Sequence, residues 1–284
     1  LENLQFALLI EATPFLLALV IIGRCKRRLL CSVFLSLLIS CTSSPLNRRQ
    51  VVIFSEAEMV QQGEHLYRRI QQEEEISTDS RNTLYVRCVA DHIIAALDES
   101  QRTNYLWEIT VFNSEQENAF ALPGGKISVY SGLLGVAQNQ HQLAAVMAHE
   151  VGHVLANHSN ERASQSTIRN IGVAAAQTLG ISNSALEALD LGAQLGLFLP
   201  FNRIQESEAD SLGVILMANT GFDPMESITL WQNMNAASGS RSPELLSTHP
   251  SPRSRMAELR SLMSAALQLR QTAISKGLNP NCLT

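Results

Sequence analysis

His149, Glu150, Val151, Gly152 and His153 read HEVGH, two histidines four apart with a glutamate beside the first. On a helix, positions i and i+4 share a face one turn apart, so both imidazoles can point at one tetrahedral metal ion. Glu150 then projects beside the open metal position, where it can take a proton from water whose pKa a metal lowers towards ~7. Such a kit suits zinc-dependent hydrolysis of an amide. The same letters on a solvent-facing helix would do nothing, and the flanking sequence argues against that. From Gln140 to Asn157, apolar residues recur at Leu143, Val146, Met147, Val151, Val154 and Leu155, close to the helical period, with Asn139 placed as an N-cap. Histidines and a glutamate on a buried helix need partners, and a metal supplies them.

Two imidazoles leave a catalytic zinc one protein ligand short. Downstream, Phe201 to Met217 is again helix-like, and Glu206, Glu208 and Asp210 place three carboxylates within two turns. Glu206 and Asp210 share a face, whereas Glu208 points elsewhere. If Glu206 is the ligand, Asp210 can accept the Nδ1 proton of a ligating histidine and brace it. A solvated acidic face is the competing reading, opposed by the apolar flank Leu212, Val214, Ile215 and Leu216.

Together, HEVGH, the later E-x-x-x-D from Glu206 to Asp210, and NAFALPGGKISVYSGLL from Asn118 to Leu134 resemble the membrane-associated zinc metallopeptidases. That group includes the CAAX prenyl proteases, the HtpX heat-shock proteases and the Oma-type and BepA-type enzymes, and the likeness is greatest to the last two. It covers roughly Ser55 to Leu262, without the helical repeat tail of the BepA type. The resemblance implies His149, His153 and Glu206 as ligands of one Zn2+ per chain, with Glu150 as catalytic base. It extends to Thr248, His249, Pro250 and Arg255. A histidine there would stabilise an oxyanion, or occupy the open metal position in a resting state.

Alternation and β-branched content suggest strands over Asn104 to Phe112 and over Lys126, Ile127, Ser128, Val129 and Tyr130, with Pro123, Gly124 and Gly125 turning the chain after Ala119 to Leu122. By the resemblance, the edge of the second strand lies along the active-site cleft and holds an extended peptide through main-chain hydrogen bonds. Unfolded or misassembled proteins are then the expected partners. The remaining histidines need no special role: His65, His92 and His141 belong to amphipathic helices, and His158, five residues past His153 on a continuous helix, faces away to the surface.

Phe6 to Gly23 is apolar but interrupted by Glu11 and Pro14. Arg24, Lys26, Arg27 and Arg28 follow, then a short apolar core from Leu29 to Ser40. This order describes a secretory signal, and Leu38-Ile39-Ser40-Cys41 resembles a lipobox that would make Cys41 a lipidated membrane anchor. The competing topology is a membrane-embedded hairpin. Either way, the chain past Ser43 is expected outside the cytoplasm or at a membrane surface, and lipoprotein export, the first choice, puts it on the periplasmic side of a bacterial cell envelope. Residues 1–41 are thus a targeting segment, 42–54 a linker and 55–284 the catalytic domain. Cys88 is expected as a small core residue, and a bridge to Cys282 has no support from spacing.

Past the leader, helical patterns dominate, enough for one sizeable core. Ala174 to Leu199, broken by Ser182, Asn183, Ser184, Glu187 and Asp190, is expected as a helical pair over the cleft. A net charge of −5 without a basic stripe argues against nucleic acid. The expected fold is therefore α+β and mostly helical, a zincin-like metallopeptidase domain with a small β-sheet next to the HExxH helix. The expected function is zinc-dependent cleavage of misfolded envelope proteins. A zinc-bound chaperone that uses the same cleft without hydrolysis is the alternative.

Overall fold

The computed structural model describes residues 41–187, 199–237, 245, 249 and 253–282. The leader up to residue 40, Thr248 and Pro250, and the latter part of the expected helical pair lie outside the described residues. Among the described residues, no helix is long and apolar enough to cross a membrane.

The helices begin where their caps dictate. Helix α1 (Glu56–Glu73) opens with a reciprocal capping box between Ser55 and Glu58, and α2 (Ser80–Ala95) opens on Asp79, whose carboxylate accepts from the amides of Arg81 and Asn82. A second capping box, Asp98 with Gln101, starts the short helix α3 (Glu99–Asn104). That cap corrects the expectation of a strand from Asn104, because it draws residues 99–104 into a helical turn before extended structure begins. Strand β3 starts only at Glu108 and runs to Phe112.

A three-stranded sheet follows, with β4 (Ala119–Leu122) and β5 (Lys126–Tyr130) joined through the expected Pro123-Gly124-Gly125 turn. Both glycines have positive φ, 85° and 80°, which a side chain would resist. The strand order is β3-β5-β4, with β5 parallel to β3 and antiparallel to β4.

After the short helix α4 (Leu133–Val136) comes α5 (Gln140–Leu155), capped by Asn139, whose side chain accepts from the amides of His141 and Gln142. It is buried from Gln142 to Val154 and carries HEVGH through the centre of the molecule. Helix α6 (His158–Thr178) follows, then α7 (Leu199–Asn219), α8 (Glu226–Ala237) and α9 (Arg253–Ser275). The start of the expected pair is thus the end of α6, which runs to Thr178 before Gly180 turns with φ 80°.

Helices α5 and α7 form the central contact of the domain. Two glycines set their spacing. A Cβ on Gly152 would come within 2.9 Å of the Ala209 carbonyl oxygen, and one on Gly213 within 3.0 Å of the His149 nitrogen. Around this seam pack Leu143, Met147, Val151, Met217, Leu230 and Met234, all buried.

Two expectations change. Residues 42–54, expected as a linker, include a two-stranded antiparallel ribbon, β1 (Cys41–Ser43) and β2 (Arg49–Val51), whose polar side chains dock on α6 and α7. Cys88 is bonded to Cys282, which fastens the C-terminal tail to α2 across a separation of 194 residues. Spacing alone could not show this pairing, since only the packed tail brings the two together. Gln140, at the start of α5, also holds that tail by hydrogen bonds with Pro280 and Cys282.

Candidate metal centre

Helix α5 places His149 and His153 one turn apart, with their Nε2 atoms 3.1 Å from each other. From the facing side, α7 supplies Glu206, whose carboxylate oxygens lie 3.2 Å from His149 Nε2 and 3.4 Å from His153 Nε2. His249 enters from a third direction, its Nδ1 2.9 Å from Glu206 and 3.2 Å from His149 Nε2. The donor atoms of these four buried residues all lie within 4.8 Å of one another.

Asp210 lies one turn beyond Glu206, as the shared face required. Its Oδ1 accepts from His149 Nδ1 at 3.0 Å, so in neutral His149 the proton sits on Nδ1 and the Nε2 lone pair faces the cluster. Arg255, from α9, grips Asp210 with Nε and Nη2 at 2.6 and 2.7 Å, and also donates to the His249 carbonyl at 3.3 Å. Its guanidinium stacks 4.3 Å from the Trp231 ring centroid. A buried arginine in a fork around a carboxylate fixes that carboxylate and, through it, the imidazole.

Electrostatics follow from this packing. Burial opposes ionisation of Glu206, but hydrogen bonds with His149, His153 and His249 hold its carboxyl far below the usual range. Burial likewise opposes the His149 cation, but Asp210 and Glu206 outweigh it and raise the group to about 9. For His153 burial wins, and the imidazole is pushed well down, towards the neutral form.

Glu150 is buried too, and its two oxygens differ. Oε2 accepts from the Ala121 amide at 3.1 Å, which anchors the side chain to β4. Oε1 has no hydrogen-bond partner, and His249 Nε2 is 3.4 Å away. A buried carboxylate oxygen without a partner is costly, and here it is aimed beside converging imidazole and carboxylate donors. That arrangement fits a divalent metal with a reactant next to it. Two or three histidine nitrogens and one glutamate oxygen are a donor set zinc accepts.

The expected substrate strand needs correcting. Lys126, Ile127, Ser128, Val129 and Tyr130 form the central strand, buried throughout and paired on both sides, so their main chain offers no free edge. Lys126 instead pairs with Glu64 and Glu108 at 3.0 and 3.2 Å. The outer strand beside Glu150 is β4, Ala119–Leu122, which the sequence pattern treated only as the approach to the turn.

His158, expected at the surface, is fully buried, 2.7 Å by Nδ1 from His153 Nδ1. The expectation assumed an unbroken helix. Asn157 instead adopts the left-handed conformation, φ 53°, which ends α5 and returns His158 beneath the site. Asparagine tolerates that conformation better than most residues, and Asn157 was the available signal. Glu208 turns away from the donor cluster as expected, but it is buried and takes hydrogen bonds from His158, Arg48 and Ser44.

Comparison with known proteins adds a family. The profile of peptidase family M48 matches residues 80–263. Mitochondrial metalloendopeptidase OMA1 of Schizosaccharomyces pombe is 39% identical over 194 residues, 67% of this chain and 56% of that protein. OMA1 of Arabidopsis thaliana is 35% identical over 165 residues, 57% of this chain and 33% of that protein. The beta-barrel assembly-enhancing protease of Escherichia coli is 30% identical over 213 residues, 71% of this chain and 43% of that protein. The chain thus spans between a third and a little over half the length of these curated relatives.

Proposed function

This chain belongs to peptidase family M48, and on that premise we propose that it is a zinc-dependent endopeptidase of protein quality control, with His149, His153 and Glu206 as metal ligands and Glu150 as base. The observation that carries the reading is the Glu150 side chain, fixed to β4 through Oε2 while buried Oε1, without a hydrogen bond, faces His249 Nε2 at 3.4 Å beside the donor cluster. When bound there, zinc would polarise the scissile carbonyl and acidify water.

The residues of the chain do the rest. Glu150 Oε1 accepts the proton of the attacking water and later returns it to the leaving amine. Asp210 and Arg255 keep His149 in the tautomer that presents Nε2 to the cluster. On the outer edge of β4, whose Ala119 and Ala121 amides go to Asn118 and Glu150, the outward carbonyls accept from the main chain of an extended peptide, which favours unfolded or misassembled chains over any fixed sequence. His249 stands where a fourth ligand would, and we read this arrangement as a closed form in which substrate displaces it. Leu245 donates to the Glu117 carbonyl, just before β4, and accepts from the His249 amide.

The Cys88–Cys282 disulfide favours an oxidising compartment. With the lipobox-like ending at Cys41, we place the protein on the outer side of a bacterial membrane, held by a lipid anchor. The relatives are named a mitochondrial metalloendopeptidase and a β-barrel assembly-enhancing protease, which supports the protein quality-control part of the reading.

Digestion of casein, an unfolded probe, tests the reading. The zinc-loaded protein should cleave it, lose activity on chelation and regain it with Zn2+, and His249→Ala should cleave faster. One zinc per chain with no cleavage by either form would overturn it.

A further inference from the structure

Behind the metal-facing side of His153 runs a chain of hydrogen bonds that ends in the N-terminal ribbon. His153 Nδ1 lies 2.7 Å from His158 Nδ1, and His158 Nε2 lies 3.1 Å from Glu208 Oε2. An ionised carboxylate can only accept, so the proton of the second contact belongs to His158 Nε2. A neutral imidazole protonated there has an acceptor at Nδ1, so the proton of the first contact belongs to His153 Nδ1. His153 is thereby left with its Nε2 lone pair towards Glu206 and His149, the form a metal ligand must take.

The outer end is equally well held. Glu208 accepts from Arg48 Nε at 2.7 Å and from the Ser44 hydroxyl. Arg48 forks onto Glu161 with Nη1 and Nη2 at 2.8 and 2.7 Å, and Gln50 and Gln205 close around the same Glu161. His158, Glu208 and Glu161 are all buried. Well-packed apolar residues in place of such a buried charged network are often neutral or stabilising, so stability alone does not account for a histidine, two glutamates and an arginine here.

We propose that His158 is a positioning residue of the metal centre: held by Glu208, and through it by Arg48 and Ser44 of the β1–β2 ribbon, it fixes the tautomer and orientation of His153. The proposal rests on the metal reading above. It makes the ribbon, which begins at the expected membrane anchor Cys41, the outermost support of a zinc ligand. His149 and His153 are then braced from opposite sides, one by Asp210 with Arg255, the other by His158 with Glu208 and Arg48.

The test is Zn2+ affinity by chelator competition, with the electronic spectrum of the Co2+-loaded protein as a report of ligand geometry. The full chain is compared with His158→Leu, which fills the space without an acceptor, and His158→Asn, which restores an acceptor near the Nδ1 position. His153→Ala serves as the control for a lost ligand. His158→Leu should bind Zn2+ roughly 10- to 100-fold more weakly, the usual range for losing such a support, with an altered Co2+ spectrum. His158→Asn should recover most of both. Wild-type affinity in folded His158→Leu, or His158→Asn no better than His158→Leu, would overturn the proposal. If His158→Leu does not fold, Glu208→Gln carries the test, with severalfold weaker binding expected and unchanged binding overturning it. Failure of the wild type itself to take up Zn2+ would instead sink the metal reading on which the proposal stands.

Discussion

Replacing Gly152 with alanine perturbs the site without touching a ligand or the base. The new Cβ would lie 2.9 Å from the Ala209 carbonyl oxygen, 3.3 Å from Ala209 Cα and 3.3 Å from Leu212 Cβ, all on α7. Carbon–oxygen contacts settle at about 3.3–3.6 Å, so α7 has to retreat by roughly 0.5 Å. Glu206 rides on the same helix, one turn before Ala209. Metal–ligand distances tolerate only about 0.2 Å, and a misplacement of ~1 Å at a reacting centre costs ~100-fold. Zinc affinity should therefore fall by about tenfold, the low end of what disturbing the support of a ligand costs. For stability, alanine in a helix gains about 1 kcal/mol over glycine, while overpacking costs about 1–3 kcal/mol. The net effect is a loss of up to about 2 kcal/mol in the metal-free protein. Gly172 in α6 provides the control, since a Cβ there meets nothing within 4 Å. Gly172→Ala should gain up to about 1 kcal/mol and leave zinc binding alone. Urea denaturation with chelator and Zn2+ competition read both quantities. Equal stabilisation and equal affinity in the two variants would refute the claim that the glycine seam sets the ligand spacing.

Asp210→Asn removes the charge gripped by buried Arg255; unfolding should show a loss of about 3 kcal/mol, and competition about tenfold weaker zinc binding. Replacing Cys88 and Cys282 by serine opens a loop spanning 194 residues. It should lower stability by roughly 3–5 kcal/mol while leaving Zn2+ affinity unchanged, and a shift in affinity would contradict the assignment of the bridge to fold rather than site. Burial opposes ionisation of Glu208, but His158, Ser44 and Arg48 lower its carboxyl from 4.5 to about 2. Its contribution is thus complete above pH 4.5 and is lost as pH falls towards 2, so acid unfolding of Glu208→Gln should lack that part of the slope.

The candidate ligands were partly legible because helical spacing, which is local, puts His149 with His153 on one stripe and Glu206 with Asp210 on another, while the facing of those two stripes comes from the packing of α5 on α7. Glu150 and Arg255 also stand where the motif and the resemblance put them. What escaped depends on particular turns and on chain segments far apart in sequence. A helix read as continuous sends His158 outward, and one left-handed residue, Asn157, sends it inward. Strand β5 alternates like a half-buried strand, but its central place in the sheet follows from pairing with β3, which no local pattern encodes. The ribbon at residues 41–51 reads as a polar connector, and its burial of Arg48 against Glu161 and Glu208 is a contact across more than a hundred residues. The Cys88–Cys282 bond is non-local in the same way.

Rates of casein cleavage by the wild type and by Glu150→Gln, with zinc content measured on both proteins, test the central claim most directly. Glutamine keeps the size and the acceptor for Ala121 but cannot serve as a base. The account predicts one zinc in each protein and a rate lower by about 100- to 10,000-fold in the variant, the usual worth of a general base. Equal cleavage by the two zinc-loaded proteins would contradict it.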